Sequence, residues 1–133
     1  MRSHVEARRT IEIPDYKPPA RLEEMMERLQ HRYLPNKKVK EMIWGYFEDM
    51  YAVLAETARV TKQSGHIAFV VGNCRYGGIM FPVDEMLAEI GENLGLKTEK
   101  IVVARYRGNS PQQMKKYGKE SARESIIIWE KSL

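Results

Sequence analysis

The stretch HIAFVVG, residues 66–72, decides how this chain is read. Its apolar run Ile67 to Val71 is uninterrupted and rich in β-formers, and it lies between Lys62-Gln63-Ser64-Gly65 and Asn73. Such a run, without polar alternation, is expected of a strand buried on both faces. It predicts a central parallel strand. Toward the C-terminus comes a loop, Asn73 to Met80, containing Gly77 and Gly78. Val83, Met86, Leu87, Ile90 and Leu94 then recur at helical spacing up to Gly95, a helix with a glycine stop. KIVVARY (100–106) and ESIIIWE (124–130) supply two further strands.

Working back from residue 66, Val39, Ile43, Phe47, Met50, Leu54 and Ala58 form one stripe, with Glu41, Glu48, Asp49 and Glu56 largely off it. They predict a helix from about Lys38 to Thr61. The acid pairs Glu23-Glu24 and Glu48-Asp49 point about 100° apart on their helices and read as solvated faces rather than as paired catalytic acids. Leu22, Met25, Met26, Leu29 and Tyr33 predict a shorter helix, with Pro19 suited to its first turn and Pro35-Asn36 ending it. Residues 1–20, punctuated by Pro14, Pro18 and Pro19, read as an arm. The 133 residues are thus expected to form one unit: arm 1–20, helices 21–65, and strand-helix-strand-strand over 66–133. This order predicts an α/β fold, the second half of a doubly wound sheet ending in an antiparallel strand pair.

The formal net charge of +4 conceals a segregation. Residues 1–40 carry +4, residues 41–103 carry −4 and residues 104–133 carry +4. The densest positive run is Arg105, Arg107, Lys115, Lys116, Lys119 and Arg123, opposed within it only by Glu120. Two readings of this basic loop stand, a phosphate-contacting surface and a solvated loop. Arg75-Tyr76 pairs a cation with an aromatic face, a combination found in single-stranded nucleic-acid sites, against the plain reading of an exposed loop. Asn73, just past the strand, either orients a ligand or turns the chain through its own hydrogen bonds. Because ligands in open α/β sheets bind outside the carboxyl strand ends, Asn73 to Gly78 is the expected functional surface. Cys74 is the sole cysteine and His4, His31 and His66 are scattered, so neither a disulfide nor a zinc spacing is present. The longest apolar runs are too short to cross a bilayer, and Met1-Arg2-Ser3-His4 leads into charges. A cytoplasmic protein without membrane contact is expected.

Phe47 to Gly65 (FEDMYAVLAETARVTKQSG) followed by HIAFVVGN resembles the "helix, R-V-x-K-x-G-G, strand" passage of S-adenosylmethionine-dependent methyltransferases, with Arg59-Val60-Thr61-Lys62 and Gly65 at matching positions. DEMLAEIGENLGL (84–96) resembles the next family helix, and Arg105-Tyr106-Arg107 with Arg123-Glu124-Ser125-Ile126 resembles the closing hairpin. The N-terminal MRSHVEARRTIEI is similar to the stretch downstream of the catalytic motif in amino-methylating DNA methyltransferases. Two family motifs are missing: the F-x-G-x-G-like cofactor turn and the Ser/Asn/Asp-Pro-Pro-Tyr/Phe motif that holds the target amine. Pro18-Pro19, between Lys17 and Ala20, is not the latter.

The resemblance implies the C-terminal half of a class I (Rossmann-like) methyltransferase sheet. It implies S-adenosyl-L-methionine as the cofactor of the complete enzyme, not expected to bind this chain alone, and no catalytic residue is carried over. DNA is the implied partner, with Arg8 and Arg9 of the arm following its backbone and Asn73, Arg75, Tyr76, Arg105, Arg107, Lys115, Lys116 and Lys119 as further contacts. A separate chain carrying the N-terminal half, or self-association, is expected to complete the sheet. The alternatives are a non-catalytic nucleic-acid-binding module and an RNA methyltransferase fragment.

Overall fold

The computed structural model describes residues 15–34, 38–107 and 122–132. The arm with Arg8 and Arg9, and the loop lysines Lys115, Lys116 and Lys119, lie outside the described residues. The elements are α1 (Ala20–Gln30), α2 (Val39–Val60), β1 (His66–Gly72), β2 (Cys74–Tyr76), β3 (Ile79–Phe81), α3 (Val83–Asn93), β4 (Lys97–Arg107) and β5 (Ala122–Glu130).

Each helix follows from its apolar spacing. Leu22, Met25, Met26 and Leu29 of α1 are buried, Pro19 stands at its N-cap, and the helix ends at Gln30, so that Tyr33 is 84% exposed instead of extending the stripe. Val39, Ile43, Phe47 and Leu54 of α2 are buried as the stripe predicts. Glu48 departs from its expected solvated position: it is 2% exposed. It points about 100° round the helix from Phe47, and the burial of Met42 and Gly45 as well shows that the neighbouring elements cover a wider arc than the stripe Ile43, Phe47 and Leu54 marks out. Gly95, at φ +87°, follows the end of α3 in a backbone conformation that costs a glycine little.

The main sheet has the order β1-β5-β4. β5 runs antiparallel to both neighbours, in register His66↔Glu130 to Gly72↔Glu124 with β1 and Lys97↔Glu130 to Arg107↔Ala122 with β4. The expected antiparallel final pair is therefore present. The central parallel strand is not: among the described residues every pairing is antiparallel, and β1 lies at an edge. Nor is β1 covered on both faces, for Ile67 and Val71 are buried whereas Val70 is 69% exposed. The cause is that, among the described residues, the helices cover one side of the sheet. Helix α3 packs on β1, β4 and β5, and α2 packs on α3. The same alternation appears in β5, where Ser125, Ile127 and Trp129 are fully buried and the residues between them only half so. The far face shows the row Val70, Ile126 and Val102, one residue from each strand.

The segment read as a loop after β1 contains a hairpin, β2–β3, in which Tyr76 pairs with Ile79 across Gly77 and Gly78. Both glycines have positive φ, +55° and +79°, the requirement of the tight hairpin turn whose twist matches its strands. The signal was a Gly-Gly pair between apolar residues, masked by the brevity of the two three-residue strands.

Candidate functional site

At the carboxyl end of β1 the chain leaves the sheet through Asn73, makes the β2–β3 hairpin and enters α3. A cleft of about 560 Å³ opens there. It is lined by Asn73, Met80 and Pro82, with Arg21 of α1, Glu85 of α3, Tyr106 of β4 and Arg123 of β5. Tyr106 and Arg123 are direct cross-strand partners, which sets them side by side at the mouth.

Asp84 anchors the arrangement. Its side chain is fully buried, and one carboxylate oxygen accepts hydrogen bonds from Arg123 Nε at 2.8 Å and Ser125 Oγ at 2.8 Å. The other accepts the Glu85 backbone N–H at 2.8 Å. Burial pushes the Asp84 carboxyl up, but the Arg123 and Ser125 hydrogen bonds, with that of the backbone, outweigh it and hold the group below its ordinary value. Asn73, 6% exposed, accepts the Asp84 backbone N–H on its side-chain oxygen at 3.2 Å and donates its own backbone N–H to the Arg123 carbonyl at 3.0 Å. Asn73 thus stitches the end of β1 to the start of α3 and to β5 through its hydrogen bonds, and it also lines the cleft.

Glu85 lies between two cations. Arg21 Nη1 is 2.5 Å from one of its oxygens and Arg123 Nη2 is 3.7 Å from the other. Chemically the cleft combines guanidinium groups, a side-chain amide and an exposed phenol ring, a set suited to an anion with an attached planar group.

The other residues singled out from sequence are placed as follows. Arg75 and Tyr76 are half-buried on β2, and the Tyr76 ring meets Phe81 edge-on at 5.8 Å. Arg105, on β4, donates from Nε to Glu124 at 2.6 Å. Arg107 closes β4 opposite Ala122. Of these residues only Asn73 lines the cleft. Arg21, Asp84 and Glu85 carried no sequence signal for this role, since each is a helix-surface charge by spacing. Asp84, Glu85, Tyr106 and Arg123 all belong to family-like stretches, but only the pairing of β4 with β5 and the burial of Asp84 against β5 put them at one site.

Away from the cleft, at the start of β1, His66, Glu99 and Glu130 bring one ligand atom each within 4.8 Å of one another. The group lies at the surface, with a 3.3 Å contact between His66 Nε2 and Glu99. Among the described residues no helix is long and apolar enough to cross a membrane.

The chain is 40% identical over 108 residues to the Type II methyltransferase M.BsoBI of Geobacillus stearothermophilus, a match covering 80% of this chain. It is 38% identical over 104 residues, 77% of its length, to the Type II methyltransferase M.AvaI of Nostoc and of Anabaena variabilis. It is a relative of the Type II methyltransferases. The chain spans about a fifth of the length of these relatives, 21% and 22%, and corresponds to a fragment matching their C-terminal part. No family model matches it, and no solved structure matches it. Among the described residues, the glycine turn after β1 is not shaped to receive S-adenosylmethionine. The glycine turn that follows β1 is a closed hairpin leaning on α1, where a Cβ at Gly77 would lie 3.0 Å from Arg32 and Leu29. Among the described residues no other strand runs into a glycine-rich turn.

Proposed function

We propose that this chain is the C-terminal portion of a DNA methyltransferase that moves a methyl group from S-adenosylmethionine to an exocyclic amine of a DNA base in the cytoplasm. A second polypeptide, the N-terminal half, supplies the cofactor turn and the amine-holding motif. The observation that carries the methyltransferase reading is the match itself, 40% and 38% identity over about four-fifths of this chain. Two features of the fold support it. β1 has one unpaired edge among the described residues, and the far face of the sheet carries the exposed Val70 and Val102 on either side of the half-buried Ile126. Backbone groups at an open edge and apolar side chains on an open face both favour an added strand and its cover. In this reading the sheet is one end of a larger Rossmann-like sheet.

The role of the chain's own residues is to wall the substrate side. The cleft beyond β1 holds DNA by phosphate and base-face contacts through its own lining, Asn73 among it, while Arg75, Tyr76, Arg105 and Arg107 outside that lining, with the basic loop and arm, add salt-dependent affinity. Methylating an exocyclic amine requires the base to be extruded and held, and such a wall limits where it can go. The test is co-expression with the neighbouring open reading frame, followed by methyl transfer from labelled S-adenosylmethionine to DNA. Activity that needs both chains is expected. Transfer by the neighbour alone at full rate, or no transfer by the pair, would overturn the reading.

A further inference from the structure

The cleft contains its own anion. Glu85 is 45% exposed and faces Arg21 and Arg123, both of which retain exposure, at 51% and 30%. Asp84 differs from it entirely: its side chain is sealed from solvent and is committed to Arg123 Nε, Ser125 and the backbone. One acid therefore fixes an arginine, and the other occupies the faces that the two arginines turn to the cleft. With Arg123 fixed through Nε, its Nη2 lies 3.7 Å from Glu85, and Tyr106 stands beside it on the neighbouring strand.

We propose that this cleft seats one phosphodiester group of DNA, and that Glu85 is the internal counter-ion the phosphate displaces. The proposal rests on the DNA reading above and names the contact within it. A phosphate oxygen pair matches the two cations as the Glu85 carboxylate does, and carries the geometry arginine prefers. Exposed ion pairs are weak, so Glu85 yields at little cost when an anion with further contacts arrives. The Tyr106 ring, 66% exposed, is placed to meet the sugar or base attached to that phosphate. Glu85 also rejects anions that bring no such extra contact.

The experiment measures affinity of the 133-residue chain for a DNA duplex of about 20 base pairs by fluorescence anisotropy at two salt concentrations. Glu85→Gln is expected to bind about three- to tenfold more tightly, since it frees both arginines. Glu56→Gln makes the same charge change on α2, where Glu56 pairs with Arg59, and is expected to stay within about twofold of the parent. In an Arg21→Ala background the gain from Glu85→Gln should shrink by at least about half, because the two residues act as a pair. Equal gains from Glu85→Gln and Glu56→Gln would overturn the seat and leave only net charge. DNA binding with a normal salt slope that Glu85→Gln and Arg21→Ala both leave unchanged would overturn the seat while the DNA reading stands. If neither parent nor variant binds DNA, the DNA reading falls and the phosphodiester assignment with it. Inorganic phosphate, added as a separate probe, would in that case identify a small-anion site if Glu85→Gln binds it more tightly.

Discussion

Asp84 carries a charge where water cannot reach it, and its pH dependence follows from that. The folded state holds its carboxyl below the ordinary value near 3.8, so its contribution to stability is fully present above that pH. As pH falls through the depressed folded value the carboxylate is protonated and the contribution is lost. Asp84→Asn should therefore lower stability at pH 7 by about 1–3 kcal/mol, kept modest because Arg123 still reaches solvent. The two proteins should converge as pH drops below the ordinary carboxylate range, and urea titrations across that range measure it. Gly91 gives a second prediction. A Cβ there would lie 2.3 Å from Nε1 of Trp129, a fully buried indole, and 2.7 Å from its Cε2. Gly91→Ala gains about 1 kcal/mol of helix propensity but must move a packed ring, and overpacking of this kind costs about 1–3 kcal/mol. A net loss in the thermal transition is expected, and a stabilised variant would show that the indole has room to move.

At the scale of elements, the C-terminus of α2 is closed by a side chain from the far end of the sequence. Lys131 Nζ, just past β5, donates to the carbonyls of Ala58 at 2.6 Å and Thr61 at 2.8 Å, and lies 3.4 Å from that of Arg59. Backbone bonds between Ser64 and Lys131 and between Lys131 and Gly65 tie the same corner. The ammonium thus satisfies helix-end carbonyls and meets the negative end of the helix dipole. Lys131→Met, which keeps the stem and removes the donors, should cost about 1–2 kcal/mol. Hydrogen exchange should show the loss concentrated in the last turn of α2, and protection unchanged there would mean that the backbone bonds alone hold the corner.

For the whole molecule, the question is what an open sheet does in water. Among the described residues, β1 has an unpaired edge, and Val70, Ile126 and Val102 form an apolar row on the face that no helix covers. At about 25 cal/mol per Å² of apolar surface, a patch of a few hundred Å² is a strong drive to associate. The chain alone is expected to self-associate at micromolar concentration, and to become a discrete complex when the N-terminal half is supplied. Light scattering over a concentration series tests this. A stable monomer with a cooperative thermal transition would show that the chain closes its own sheet.

The amino-acid sequence by itself determined the helices and the three long strands, because burial periodicity is local. Val39, Ile43, Phe47 and Leu54 mark α2 wherever it packs, and ESIIIWE forms a strand whatever its neighbours. The resemblance carried by Arg59 to Gly65 and HIAFVVG, too, was legible there and agrees with the methyltransferase relatives. Only the tertiary structure decided that β5 lies between β1 and β4, that β1 is covered on one face, and that Glu48 is buried. Those facts depend on which element packs where, and an apolar run looks the same at an edge as at the centre. The cleft was illegible for the same reason. Arg21, Asn73, Asp84, Glu85, Tyr106 and Arg123 are spread over a hundred positions, and they meet only because Asp84, at the start of α3, is buried against Arg123 and Ser125 of the last strand.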